Sequence, residues 1–131
     1  MRPRYLLDTH VLVRWLVDAK KLSREQIRVL EGAVRRGEPL ALSAISLLEI
    51  AILSGEGKLK IALGEFLASL ETNPVFRILA LTGEIALEIA SLGILRDPAD
   101  RAIVATTRVH GFSLVTSDQR ITESRLVPVI Q

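Results

Sequence analysis

Short apolar runs of three to five residues alternate along this chain with longer segments whose apolar residues recur at helical spacing, and few folds accommodate that order. The runs lie at residues 5–7, 40–42, 75–79, 112–115 and 126–130. Between them, residues 11–17 carry Val11, Leu12, Trp15 and Leu16 on one helical face. Ser23 and Gln26 form a capping box ahead of Ile27, Leu30 and Val34, and Gly37 closes that helix. Residues 44–53 read as a helix apolar on nearly every side, and residues 59–70 as an amphipathic one through Leu63, Phe66, Leu67 and Leu70. Thr82 caps a helix bearing Ile85, Ile89 and Leu92. Asp97-Pro98 opens another that runs towards His110-Gly111. Strands too short to alternate with water, each followed by a helix, imply an α/β class: a doubly wound, mostly parallel sheet flanked by helices on both faces. No repeat or Pro/Ser-rich linker interrupts the pattern, so residues 1–131 read as one domain.

Aromatic residues make up only 4% of the chain against 49% hydrophobic residues, so the core must be aliphatic. The absence of cysteine excludes disulfides, thiolate metal sites and thiol nucleophiles. The opening MRPRYLLDTH lacks the apolar stretch of a secretory signal, and no apolar run is long enough for a membrane span. A cytoplasmic protein without a membrane partner is the expectation. Net charge is only +2, yet thirteen of the seventeen cationic residues are Arg, the side chain suited to bidentate phosphate contacts.

Only five of the fifteen acids are Asp, and four of them (Asp8, Asp97, Asp100 and Asp118) fall at loop or helix-start positions. Asp8 and Asp118 each follow a strand, which in an open α/β sheet places them at the carboxyl edge where ligands bind. Capping explains each of these residues taken singly, Asp97 most completely, with Asp100 complementing the same helix dipole, Asp8 heading the first helix and Asp118 in a turn. Glu49 is different. Its neighbours are Leu47, Leu48, Ile50, Ala51, Ile52 and Leu53, so most of its helix surface should be buried, the alternative being a partly exposed Glu on a narrow polar stripe with Ser46. No Lys or Arg lies three or four residues away to pair with it. Converging carboxylates without cationic partners repel one another, and a divalent cation removes that penalty; oxygen-only ligands favour Mg²⁺ or Mn²⁺. His10 and His110 form no metal motif. At helical spacing His10 points away from Asp8, and both read as structural or surface residues.

Four segments in this order resemble the PIN-domain ribonucleases, and within them the VapC-like toxin branch. They are Leu7-Asp8-Thr9-His10, Ser43-Ala44-Ile45-Ser46-Leu47-Leu48-Glu49, Asp97-Pro98-Ala99-Asp100-Arg101-Ala102-Ile103 and Leu114-Val115-Thr116-Ser117-Asp118. Leu48 departs from that branch, which often has Trp there. The family's third acid matches Asp100, directly before Arg-Ala-Ile, and leaves Asp97 as a cap or an auxiliary ligand. The resemblance implies a PIN-like fold and hydrolysis of RNA phosphodiester bonds with one or two Mg²⁺ or Mn²⁺ ions held by Asp8, Glu49, Asp100 and Asp118. Thr9, Ser43 or Thr116 would support the carboxylates by hydrogen bonds. Arg14, Arg101 and Arg120 are candidates for phosphate contact. A cognate antitoxin protein and a homodimer are the implied partners.

Two other readings fit parts of the pattern. One is an RNA-processing PIN nuclease that has no antitoxin. The other is a receiver-like, non-enzymatic Mg²⁺-binding module. It needs a lysine after a late strand, whereas the last lysine here is Lys60.

Overall fold

A computed structural model describes all 131 residues. Five strands, β1 (Tyr5–Leu7), β2 (Leu40–Ser43), β3 (Phe76–Leu79), β4 (Ser113–Val115) and β5 (Val129–Ile130), form one sheet in the order β3-β2-β1-β4-β5. Every pairing is parallel, so the sheet is wholly rather than mostly parallel. The helices are α1 (Thr9–Val17), α2 (Arg24–Arg35), α3 (Ala44–Gly55), α4 (Leu63–Thr72), α5 (Gly83–Ala90), α6 (Pro98–His110) and α7 (Gln119–Ser124). None is long and apolar enough to cross a membrane.

The two-residue period of the strands divides the core between the two faces. Leu6, Ala41 and Leu114 face Ile85, Leu92, Ile103, Val104 and Ile121, so α5, α6 and α7 cover that side. Leu7, Leu40, Leu42 and Val115 face Val11, Leu12, Leu30, Ala33, Ile50 and Leu70 from α1, α2, α3 and α4. The chain winds outward from β1 through β2 to β3, then crosses back to lay β4 on the other side of β1. The connections leaving β1 and β4 therefore diverge, and a crevice opens at the carboxyl ends of these two central strands.

The capping signals stand where the sequence placed them. Ser23 and Gln26 make a reciprocal box, Thr82 accepts from the Ile85 amide, and Gly111 ends α6 in the left-handed region at φ 71°. Some boundaries differ. The helix expected from residue 59 begins at Leu63, because residues 59–62 offer no side-chain cap at its start. The last strand is reduced to Val129–Ile130. The helix α7 is absent from the sequence reading: its six residues are too few to show a period, and Asp118, expected in a turn, is its N-cap. The largest correction concerns α3, of which only Ser46 and Ile50 are buried. Leu48 and Ile52 remain about half exposed, so apolar composition on all sides did not mean burial on all sides.

Candidate active site

Asp8 sits immediately beyond β1 at the crevice, and its amide extends the ladder by donating to the Val115 carbonyl. It is the N-cap residue of α1 by position, yet its carboxylate makes no cap hydrogen bond. Its Oδ2 instead accepts from the Thr116 hydroxyl at 2.6 Å. Thr116 follows β4, is fully buried, and accepts the Asp118 amide on the same oxygen at 3.1 Å. One hydroxyl thus ties the acid after β1 to the backbone of the acid after β4. Asp8 is only 4% exposed, and burial pushes its carboxyl above the usual range against the opposing pull of Thr116 and His10.

Glu49 enters from the second turn of α3, half-buried on a narrow polar stripe with Ser46. Its Oε1 accepts from Thr9 Oγ1 at 2.5 Å. Thr9 Oγ1 also lies 2.7 Å from Ser46 Oγ. A hydroxyl has one proton, so with Thr9 donating to Glu49 it is Ser46 that donates to Thr9. This relay holds the carboxylate without neutralising it. Burial raises the Glu49 pKa, and the charges of Asp8 and Asp97 raise it further.

Asp100 comes from the first turn of α6. Its carboxyl is pushed up to about 7, first by burial and then by Asp97, Asp118 and Asp8, with Arg120 opposing. Asp97 lies just before it as the helix cap: its Oδ2 accepts the Asp100 amide at 2.9 Å, with Pro98 at the first helical position. Asp118 caps α7 through the Arg120 amide at 2.9 Å, and the Arg120 guanidinium lies 3.7 Å from its Oδ1. No Lys or Arg makes an ion pair with Asp8, Glu49 or Asp100.

Two small cavities share Arg120 as a common wall. One, of about 200 Å³, is lined only by polar residues: Asp8, His10, Arg14, Ser117, Asp118 and Arg120. The other, of about 350 Å³, holds Asp97 and Asp100 with Arg96 and Glu123. Three expectations change here. His10 turns towards the acids rather than away from them, close enough to pull on both Asp8 and Glu49. Ser43 caps α3 through the Ile45 amide and makes no hydrogen bond to a carboxylate. Arg101 donates its Nε proton to the Leu95 carbonyl, bracing the turn before α6 instead of facing the crevice as a free cation. Sequence reasoning also missed Gln26. This buried side chain accepts from the Ser23 amide and donates from Nε2 to Ser117 Oγ at 3.0 Å, so the N-cap box of α2 also holds the loop that carries Asp118. Only the capping half of that arrangement was visible in the residue spacing.

The chemistry of these donors suits a hard divalent cation, since the crevice offers carboxylate oxygens that repel one another. No three of the Asp, Glu or His side chains close to the distance at which one ion would be gripped by all. Mg²⁺ tolerates this, because it keeps several waters and takes one or two carboxylates directly.

A family model of the PIN domain matches residues 5–125. The chain belongs to the PIN-domain family. Ribonuclease VapC22 of Mycobacterium tuberculosis is 32% identical over 122 residues, covering 92% of this chain and 91% of that one. Among solved structures, FitAcB from Neisseria gonorrhoeae superposes with a TM-score of 0.70 at 25% identity, over 97% of this chain and 96% of that one. VapBC2 from Rickettsia felis, bound to promoter DNA, gives the same TM-score at 18% identity, over 98% and 97% of the two chains. Membership of this family displaces the receiver-like alternative.

Proposed function

We propose that this PIN domain is an endoribonuclease dependent on Mg²⁺ or Mn²⁺, acting as the toxin of a toxin–antitoxin pair in the cytoplasm. The observation that carries the reading is the gathering of carboxylates about the crevice: burial first, then the charges of Asp97, Asp118 and Asp8, raise Asp100 to about 7, and burial with Asp8 and Asp97 likewise raises Glu49. The relative named as a ribonuclease, similar over nearly the whole chain, supplies the substrate class. Asp8 and Asp118, joined through Thr116, would hold an ion directly, and Asp100 and Glu49 would reach it through its waters; Asp97 stays with its helix. One or two bound ions would supply Lewis-acid charge and a more acidic water. The chain's own residues fix the rest. Thr116 and Thr9 set the carboxylate orientations, and the half-buried Arg14, which has no carboxylate partner, faces the Asp8–Asp118 cavity beside His10 and Arg120, where a scissile phosphate would lie.

The antitoxin and the homodimer remain part of this proposal. Exposed Leu48, Ile52, Leu87 and Ile94 give apolar surface that a partner could cover, and a neighbour of the same fold from Klebsiella pneumoniae is a toxin–antitoxin complex.

The test is cleavage of a mixed set of structured RNAs with Mg²⁺ or Mn²⁺, against EDTA and against Asp8→Asn. Internal cuts that vanish in both controls are expected, with the Asp8→Asn protein folded as the parent by circular dichroism. A fully active, metal-dependent Asp8→Asn protein would overturn the assignment.

A further inference from the structure

Helix α6 carries Asp100 in its first turn and His110 in its last, which by helical rise puts the two about 15 Å apart on opposite edges of the sheet. At the His110 end lies a cavity of about 570 Å³, larger than either of the cavities beside the acids. It is walled by Arg2 and Arg4 ahead of β1, Arg77 of β3, and the α6 terminus with His110 and Phe112. No acidic residue lines it. Arg4 is paired with Glu38, but Arg2 and Arg77 have no carboxylate within 4 Å and no hydrogen-bond partner, and both are exposed. The His110 ring stacks parallel on Phe112, with centroids 5.1 Å apart and planes 6° apart, and its outer side is open to solvent.

A basic residue in the last turn of a helix is an ordinary placement, which accounts for His110 alone. It does not account for two unpartnered guanidinium groups brought to the same cleft from β3 and from the chain ahead of β1. Unpaired arginines beside an exposed aromatic face are the combination that binds single-stranded nucleic acid, phosphates on the cations and a base on the ring. We propose that this cleft is a second RNA-binding site, in which Arg2 and Arg77 contact the backbone of a single-stranded segment and His110 stacks on one of its bases. The inference rests on the ribonuclease reading for the identity of the nucleic acid and extends it from the crevice to the far edge of the sheet. It makes affinity depend on RNA long enough to pass around that edge, separately from the contacts at the scissile bond.

The test separates binding from cleavage. Anisotropy of a fluorescein-labelled single-stranded RNA is measured with the Asp8→Asn protein in EDTA, over a range of salt. Adding Arg2→Ala and Arg77→Ala should weaken binding on the order of tenfold and flatten the log–log salt slope by about 1.4, the loss of two single-strand phosphate contacts. His110→Ala should weaken binding without changing the slope. A Lys20→Ala/Lys60→Ala protein, with the same loss of charge outside the cleft, should keep the parent's slope. Unchanged affinity and slope in the arginine variant, equal effects in the lysine variant, or no RNA binding by the parent would each overturn the proposal. Hydrolysis of bis(p-nitrophenyl) phosphate with Mn²⁺ reads the acid crevice alone, because that ester is too small to span 15 Å. The arginine variant should hydrolyse it as the parent does. If the parent cleaves neither this ester nor RNA, the nuclease reading fails while the binding arm still judges the cleft.

Discussion

At the scale of single residues, the crevice is governed by carboxylates kept short of cationic partners. Asp100 shows the consequence most directly. Its pKa in the folded chain is about 7 against an ordinary value of 3.8, so between those pH values the folded state holds a proton that the unfolded state has released. Without metal, stability should therefore fall as pH rises from about 4 to about 7 and level off above. Asp100→Asn should remove most of that slope in thermal melts recorded in EDTA. With Mg²⁺ the direction reverses, since the ion competes with the proton and binds more tightly as pH rises through 7. Gln26 makes a second prediction at this scale. Gln26→Met keeps the volume but releases Ser117, and with it the loop holding Asp118. A neutral hydrogen bond of about 1.4 kcal/mol corresponds to a roughly tenfold loss, expected in kcat with KM for RNA unchanged. A loss confined to KM would mean that Gln26 does not position the acid. The types and spacing of Asp8, Glu49, Asp100 and Asp118 were legible in the sequence, because each sits in a recognisable local frame. The Thr9–Ser46–Glu49 relay and the approach of His10 were not. They join residues 37 and 40 positions apart, or depend on which way one side chain leaves a helix.

At the scale of the element, α6 is both a cap-defined helix and the carrier of an acid, and Asp97 separates the two roles. Asp97→Ala should cost about 1 kcal/mol of stability as a lost N-cap. It also removes the neighbouring charge that contributes most, after burial, to the raised pKa of Asp100, so the pH midpoint for metal binding should move down. Calorimetric Mn²⁺ titrations at several pH values distinguish this from a ligand role: a cap lowers the midpoint and preserves affinity at high pH, whereas a lost ligand weakens affinity at every pH. Helix α3 shows where pattern reading ends. Its run of Leu, Ile and Ala looks like a helix buried on all sides, but burial depends on how many neighbours surround it, and Leu48 and Ile52 face outward. The short α7 escaped notice because a six-residue helix defined by its cap has no periodicity to detect.

For the whole molecule, sheet order builds the candidate site by placing β1 and β4 side by side, so that Asp8 and Asp118, more than a hundred residues apart, share one cavity. The repulsion built into that crevice predicts that metal stabilises the entire fold. Mn²⁺ at a hundred times its dissociation constant should add about 2.7 kcal/mol. For a chain of this length that is a rise in Tm of roughly 10 °C. EDTA should reverse the rise, and Asp8→Asn should blunt it. A Tm indifferent to Mn²⁺ in the parent protein would argue against a metal held by these acids.

The sequence by itself determined the α/β class, the order of the strands and of every helix but α7, most caps and the candidate acids. All of these follow from local rules: two- and 3.6-residue periods, the preference of Asp, Ser and Thr for helix starts, and motifs contained within about ten residues. Only the tertiary structure decided the order of the strands, the relays that orient Asp8 and Glu49, the side on which His10 and Arg101 fall, the exposure of α3 and the basic cleft at the far end of α6. Each of these depends on contacts between segments distant along the chain, and spacing within one segment carries no record of what the fold will bring against it.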